Sequence, residues 1–100
     1  MTTETIVREV VDLTLARTWS LIAFNDDVTP FDLVILGLLT IGLSEKDAVL
    51  KTIQIHKEGS AVVKSGMSKD EATRAYNIVK EITKGGGRFP GIDMSLVEDM

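Results

Sequence analysis

The chain predicts an α+β fold, a single small domain with three helices packed on a three-stranded, largely antiparallel sheet in the order β-α-α-β-α-β. Three observations carry that expectation. Short apolar runs at 19–24, 61–63 and 92–96 are set off by turn residues, as strands are. Three longer stretches carry helix caps and helical spacing of their apolar residues. One hundred residues leave room for one core, because a chain of that size buries roughly 60–65% of its unfolded surface. Three short strands cannot hide both faces of three helices, so one sheet with helices on one face is the economical arrangement.

Residues 1–17 read as an N-terminal arm. Val11-Asp12-Leu13-Thr14-Leu15 alternates like a strand there, while Ile6, Val10 and Leu13 suit a helix equally. The core domain is expected over 18–96, with 97–100 as a C-terminal tail. Trp19 to Phe24 is a strand, ended by the turn residues Asn25-Asp26-Asp27. Thr29 offers an N-cap hydroxyl, Pro30 suits the first helical position, and Asp32 favours the positive helix end. This first helix runs to about Ile41 and stops at Gly42. Phe31, Leu33, Val34, Ile35, Leu36, Leu38 and Leu39 leave it almost no polar face, so it must be covered on more than one side.

Ser44 caps the second helix, and Gly59 supplies the left-handed residue that ends it. Ala61-Val62-Val63 is a short buried strand, followed by a loop at Lys64–Met67. Ser68 and Glu71 form a capping box that opens the third helix. Ala72, Ala75, Tyr76, Val79 and Ile82 give that helix an apolar stripe, and Gly85-Gly86-Gly87 ends it. Phe89-Pro90 then leads into Ile92-Asp93-Met94-Ser95-Leu96, which can complete the sheet.

Composition narrows the function classes. Apolar residues make up 44% and charged residues 26%, the balance of a folded domain rather than a disordered tail. The chain has no cysteine, which excludes disulfides and thiolate metal sites and points to a reducing compartment. The cytoplasm is the expected compartment. A single histidine excludes two-histidine metal sites. The longest apolar stretch, Phe31 to Leu43, is shorter than the ~20 residues a bilayer needs and carries Asp32, so no membrane is expected. Net charge is −4, and the window between Arg17 and Lys46, with Asp26, Asp27, Asp32, Glu45 and no basic residue, accounts for all of it. Nucleic acid would require the opposite sign; a local anionic field suits a cationic ligand. Asp26, Asp27 and His56 could ligate a divalent cation or serve as an acid–base set, but no further ligand, nucleophile pair or phosphate loop completes a mechanism. An enzyme is not expected, nor any cofactor or metal.

Helices joined by the short Gly42-Leu43 link run roughly antiparallel. The end of the second therefore returns toward the start of the first, bringing His56 near the Asn25–Thr29 turn. An α-ammonium group has three N–H donors and a positive charge. Asn25 Oδ1, a carboxylate and a neutral His56 nitrogen are acceptors of the matching kind. A plainer reading stands beside this one: Asn-Asp turns satisfy their own backbone, and a histidine at the edge of an apolar stripe packs. Spacing alone leaves both open.

Asn25-Asp26-Asp27-Val28-Thr29-Pro30, followed by His56-Lys57-Glu58-Gly59 at the end of the second helix, resembles the ClpS family, adaptors of the Clp ATP-dependent proteases in bacteria and plastids. The likeness runs from Trp19 to Ile92. It implies recognition of N-degrons, proteins whose first residue is bulky and apolar. By that resemblance Asn25, Asp26 and His56 hold the free α-amino group, with Asp27 and Pro30 in support. Thr29, Phe31, Val34, Thr52 and Ile55 shape the pocket for the first side chain, and Asp70 faces a Clp-type AAA+ unfoldase. A monomer is expected. The chain departs from the family pattern at several places. Phe31 and Thr52 stand where methionine is common, Val28 replaces a frequent tyrosine, Gly91 stands where a leucine often closes the pocket, and Ala75 occupies the place of an expected basic residue. Two alternatives share the fold expectation: a relative that binds without delivery, and an interaction module. For the latter, Gly66-Met67-Ser68-Lys69-Asp70-Glu71-Ala72 is similar to the C-terminal domain of the ribosomal stalk protein, without its run of lysines.

Overall fold

The computed structural model describes residues 17–99; of the expected arm only Arg17 falls within them. The central strand is β1 (Trp19–Phe24), with β2 (Ser60–Met67) and β3 (Asp93–Glu98) antiparallel on either side of it. The helices are α1 (Phe31–Thr40), α2 (Glu45–Glu58) and α3 (Lys69–Thr83), and a 3₁₀ turn at Gly85–Gly87 follows α3. Element order and sheet type are those the sequence predicts.

Leu21 and Ala23 of β1, Ala61, Val63 and Met67 of β2 and Met94 of β3 form the sheet's share of the core. Val34 and Leu38 of α1, Ala48 and Ile55 of α2, and Ala72, Ala75 and Val79 of α3, with Ile41 and Ile92 from the connections, complete it. Each large side chain fully withdrawn from water here, such as Leu21 or Leu38, contributes about 1.5–3 kcal/mol. Helix α1 packs against both α2 and α3, which meets its need for cover on two sides. Its third side stays open, leaving Leu36 and Leu39 exposed. The approach of α1 to α3 depends on Gly37, where an added Cβ would stand 3.3 Å from Val79 Cγ1.

The N-cap serines of α2 and α3 and the glycine that ends α2 are those read from the sequence, while the C-cap of α3 is Lys84, one residue before its glycines. Ser44 Oγ accepts from Asp47 N at 3.1 Å, Ser68 Oγ accepts from Glu71 N at 3.1 Å, and Gly59 adopts φ 90°. The start of α1 differs. Pro30 is the N-cap, at φ −61° and ψ 143°, and makes no side-chain cap bond. Thr29 does not cap the helix, because its hydroxyl donates to the Asp26 carboxylate, a charged and therefore stronger acceptor.

Two strand limits also differ from expectation. β2 does not end at Val63 but continues through the expected loop to Met67. Its register against β1 slips twice: Ile22 faces Val62, Leu21 faces Lys64 and Trp19 faces Met67. The bulges absorb extra residues, and Gly66 at φ 70° supplies the backbone bend. β3 runs past Leu96 through Val97 and Glu98, paired with Ser20 and Trp19. Among the described residues, no helix is long and apolar enough to cross a membrane.

Candidate functional site

The turn after β1 is organised by its own carboxylates. Asp26 Oδ1 accepts from the backbone N–H of Val28 (3.1 Å) and of Thr29 (2.9 Å), and Asp26 Oδ2 accepts from Thr29 Oγ1 at 2.5 Å. Burial alone raises the carboxyl's pKa, but the Thr29 hydroxyl and the two amides outweigh it and hold Asp26 below its ordinary value. Asp26 is therefore a fixed negative charge. Asp27 sits in the left-handed region at φ 60°, which a short acidic side chain tolerates. From there its Oδ1 accepts from Asn25 Nδ2 at 2.8 Å, while its backbone N–H makes a long contact of 3.5 Å to Asn25 Oδ1.

The turn is anchored to α2. Asn25 N donates to Gly59 O at 2.9 Å, so the strand end and the helix end are joined directly. On α2 the buried line is Ala48, Thr52 and Ile55, while Val49, Ile53 and His56 lie exposed beside it. His56 consequently stands on a rim, with its ring edge-on to the Phe31 ring of α1, centroids 5.0 Å apart and planes at 70°.

These elements enclose one hollow. Asn25, Asp26 and His56 line it, and so do Thr29, Phe31, Val34, Thr52 and Ile55. The eight residues assigned to the amino group and the side-chain pocket thus meet at one place. Asp27 and Pro30 lie outside the lining, Asp27 behind Asn25 and Pro30 as the helix cap. Asp70 is elsewhere, exposed in the first turn of α3 where its charge suits the helix end. The Thr52 hydroxyl donates to Ala48 O at 2.8 Å, so it is satisfied within its helix and the wall there is effectively apolar.

Ile92 also lines the hollow and was not among the expected site residues. It is 3% exposed and precedes β3 instead of opening it. An apolar residue directly after Pro90-Gly91, where the chain re-enters the core, was the available signal. The cavity itself is small, about 10 Å³, room for roughly one water centre. Two surface hollows are larger. One of about 220 Å³ lies among Ile41, Lys64, Met67, Glu71, Arg74, Ala75 and Ile78, and one of about 270 Å³ among Pro30, Asp32, Leu33, Gly85, Arg88 and Phe89. Size does not decide between them. Of these three, the small hollow alone brings acceptors together beside apolar side chains without a lysine or arginine in its lining.

Residues 15–90 match the family described as ATP-dependent Clp protease adaptor protein ClpS. The chain belongs to the ClpS family. The ATP-dependent Clp protease adapter protein ClpS of Nautilia profundicola is 36% identical over 64 residues. That match covers 63% of this chain and 66% of the relative's length. Among solved structures, ClpS2 of Agrobacterium tumefaciens bound to L-phenylalaninamide superposes with a TM-score of 0.65 at 26% identity, over 84% of this chain and 99% of that one. The fold of this ClpS-family chain is thus shared with a solved ClpS protein, and the description of the family is that of adaptors, not enzymes.

Proposed function

We propose that this chain is an adaptor that grips the free amino end of proteins beginning with a bulky apolar residue and delivers them to a Clp-type AAA+ unfoldase. One observation carries the reading. Asn25, Asp26 and His56 line a single hollow together with the apolar Phe31, Val34, Ile55 and Ile92 and with Thr29 and Thr52, whose hydroxyls are already bonded. Asn25 Oδ1 and a neutral His56 nitrogen accept N–H groups of the ammonium. Asp26, whose oxygens already hold the turn, supplies the complementary charge more than a direct bond. Phe31, Val34, Thr52, Ile55 and Ile92 receive the first side chain. Phe31 lines the hollow and is 47% exposed, so movement of its ring is one way for so small a cavity to widen. The solved ClpS2 relative, bound to L-phenylalaninamide, supports the choice of ligand, a free amine beside an aromatic side chain.

The test is a titration with peptides that differ only at their start. Peptides with a free N-terminal Phe or Leu are expected to bind, and their acetylated twins to bind at least about tenfold more weakly, because uncompensated buried acceptors each cost about 1–3 kcal/mol. His56→Ala is expected to weaken the free peptides by a similar factor. Equal affinity of free and acetylated forms would remove the reading.

Delivery is carried by a different surface. Asp70 on α3 lies near the open hollow formed by Met67, Glu71, Arg74 and Ile78, a mixed charged and apolar face suited to a protein partner. Asp70→Arg is expected to slow degradation of an N-degron reporter by the unfoldase–protease while leaving peptide affinity within about twofold, since it lies outside the hollow.

A further inference from the structure

The wall at Ile92 is held by a helix that contributes nothing to the lining of the hollow. Lys80 Nζ on α3 donates to Gly91 O and to Ile92 O, both at 3.2 Å. Thr83 Oγ1, one turn further on, accepts from Ile92 N at 3.0 Å while donating to Val79 O at 2.7 Å. Both backbone polar groups of Ile92 are thereby tied to α3. The contact is close as well as polar: a Cβ at Gly91, where φ is 87°, would stand 3.0 Å from Lys80 Cδ. Thr83 is fully buried, so its bond with Ile92 N has no ready competition from water, while the Lys80 side chain is three-quarters buried. Ile92 is followed by β3, and Asp93 Oδ1 lies 3.9 Å from the same lysine.

We infer that Lys80 and Thr83 are positioning residues for the side-chain pocket, setting through the backbone of Ile92 how far that wall stands from Phe31 and so which first side chains are admitted. This rests on the proposed binding of free N-termini. Ile92, tied to α3, is a wall held in place while the exposed Phe31 is free to move, so a displacement of about one methylene at Ile92 changes which side chains fit. The lysine stem fills the space beneath Gly91 and its ammonium locks the turn.

The experiment compares Lys80→Met, Thr83→Val and Thr83→Ser with the native chain. Lys80→Met keeps an apolar stem under Gly91 and loses the donors; Thr83→Ser keeps the hydroxyl. Each protein is titrated with free and acetylated peptides beginning with Phe or Leu, and the Ile92 methyl shifts and amide exchange are followed by NMR. Lys80→Met and Thr83→Val are expected to change the Phe-to-Leu affinity ratio by up to about tenfold, the scale of one misplaced methylene. They are also expected to shift the Ile92 methyls, speed exchange of its amide and preserve the preference for free over acetylated ends. Thr83→Ser is expected to behave as the native chain. An unchanged ratio with unchanged Ile92 signals in folded Lys80→Met would overturn the inference, and that variant decides alone if Thr83→Val does not fold. Loss of the free-over-acetylated preference in the native chain would instead overturn the proposed function, with the Ile92 signals still judging the positioning role.

Discussion

Both oxygens of Asp26 are engaged inside its own turn, and Thr29 supplies the shortest of those bonds. Removing the hydroxyl therefore has a predictable sign. Asp26 has a folded pKa below its ordinary value, so its contribution to stability is present above that value and is lost as pH falls through the lowered folded one. Thr29→Val is expected to cost about 1 kcal/mol at neutral pH, discounted for partial exposure, and to shrink the acid-dependent loss of stability; Thr29→Ser is expected to retain both. Urea unfolding at pH 7 and pH 3 checks this, and an unchanged difference between the two pH values would refute it. Residue types at the site were legible in the sequence: Asn25, Asp26 and His56 are the groups that chemistry would select for an ammonium. The partner of Thr29 was not legible. Whether its hydroxyl turns toward the helix or back to the carboxylate is set by the turn, with Asp27 left-handed and Pro30 at the cap.

Helix ends separate local from non-local information. Ser44, Ser68 and Gly59 act on groups three or four residues away, so their roles could be read directly from spacing. The end of α1 has no basic residue in its last turn, and its cation arrives from β2 instead, where Lys64 Nζ donates to Ile41 O at 2.6 Å. That assistance depends on the doubly bulged register of β2 against β1, which no local pattern encodes. Lys64→Met is expected to cost about 1 kcal/mol, seen in calorimetry as a fall in Tm of about 4–8 °C. A Tm within a degree of the native value would mean that the bond carries no stability. The same register explains why a polar stretch read as a loop is strand: Lys64, Ser65 and Gly66 continue the ladder because β1 offers partners there, not because their side chains favour extension.

Across the whole molecule the two ends of the described chain are fastened together. Asp99 accepts from Ser20 Oγ at 2.5 Å and Thr18 Oγ1 at 2.7 Å, its N–H donates to Thr18 O at 2.8 Å, and Arg17 meets Glu98 at 3.1 Å. The Ser20 and Thr18 hydroxyls hold the Asp99 carboxyl below its ordinary value of 3.8, so this clasp, like Asp26, is lost as the solution is acidified. Tm is expected to stay level from pH 7 to about 5 and to fall below about 4, with a shallower fall in Asp99→Asn. A scan of Tm against pH checks it, and identical acid limbs in the two proteins would exclude the clasp as a cause. Element order and the antiparallel sheet were readable from the chain alone, as was the presence of acceptors at Asn25, Asp26 and His56, because periodicity, caps and side-chain chemistry act within a few residues. The volume of the hollow, the presence of Ile92 in its wall and the hold of Lys80 and Thr83 on that wall emerge only in the folded chain. Those depend on how closely distant segments pack, to within a fraction of an ångström, and that is a property of the assembled core.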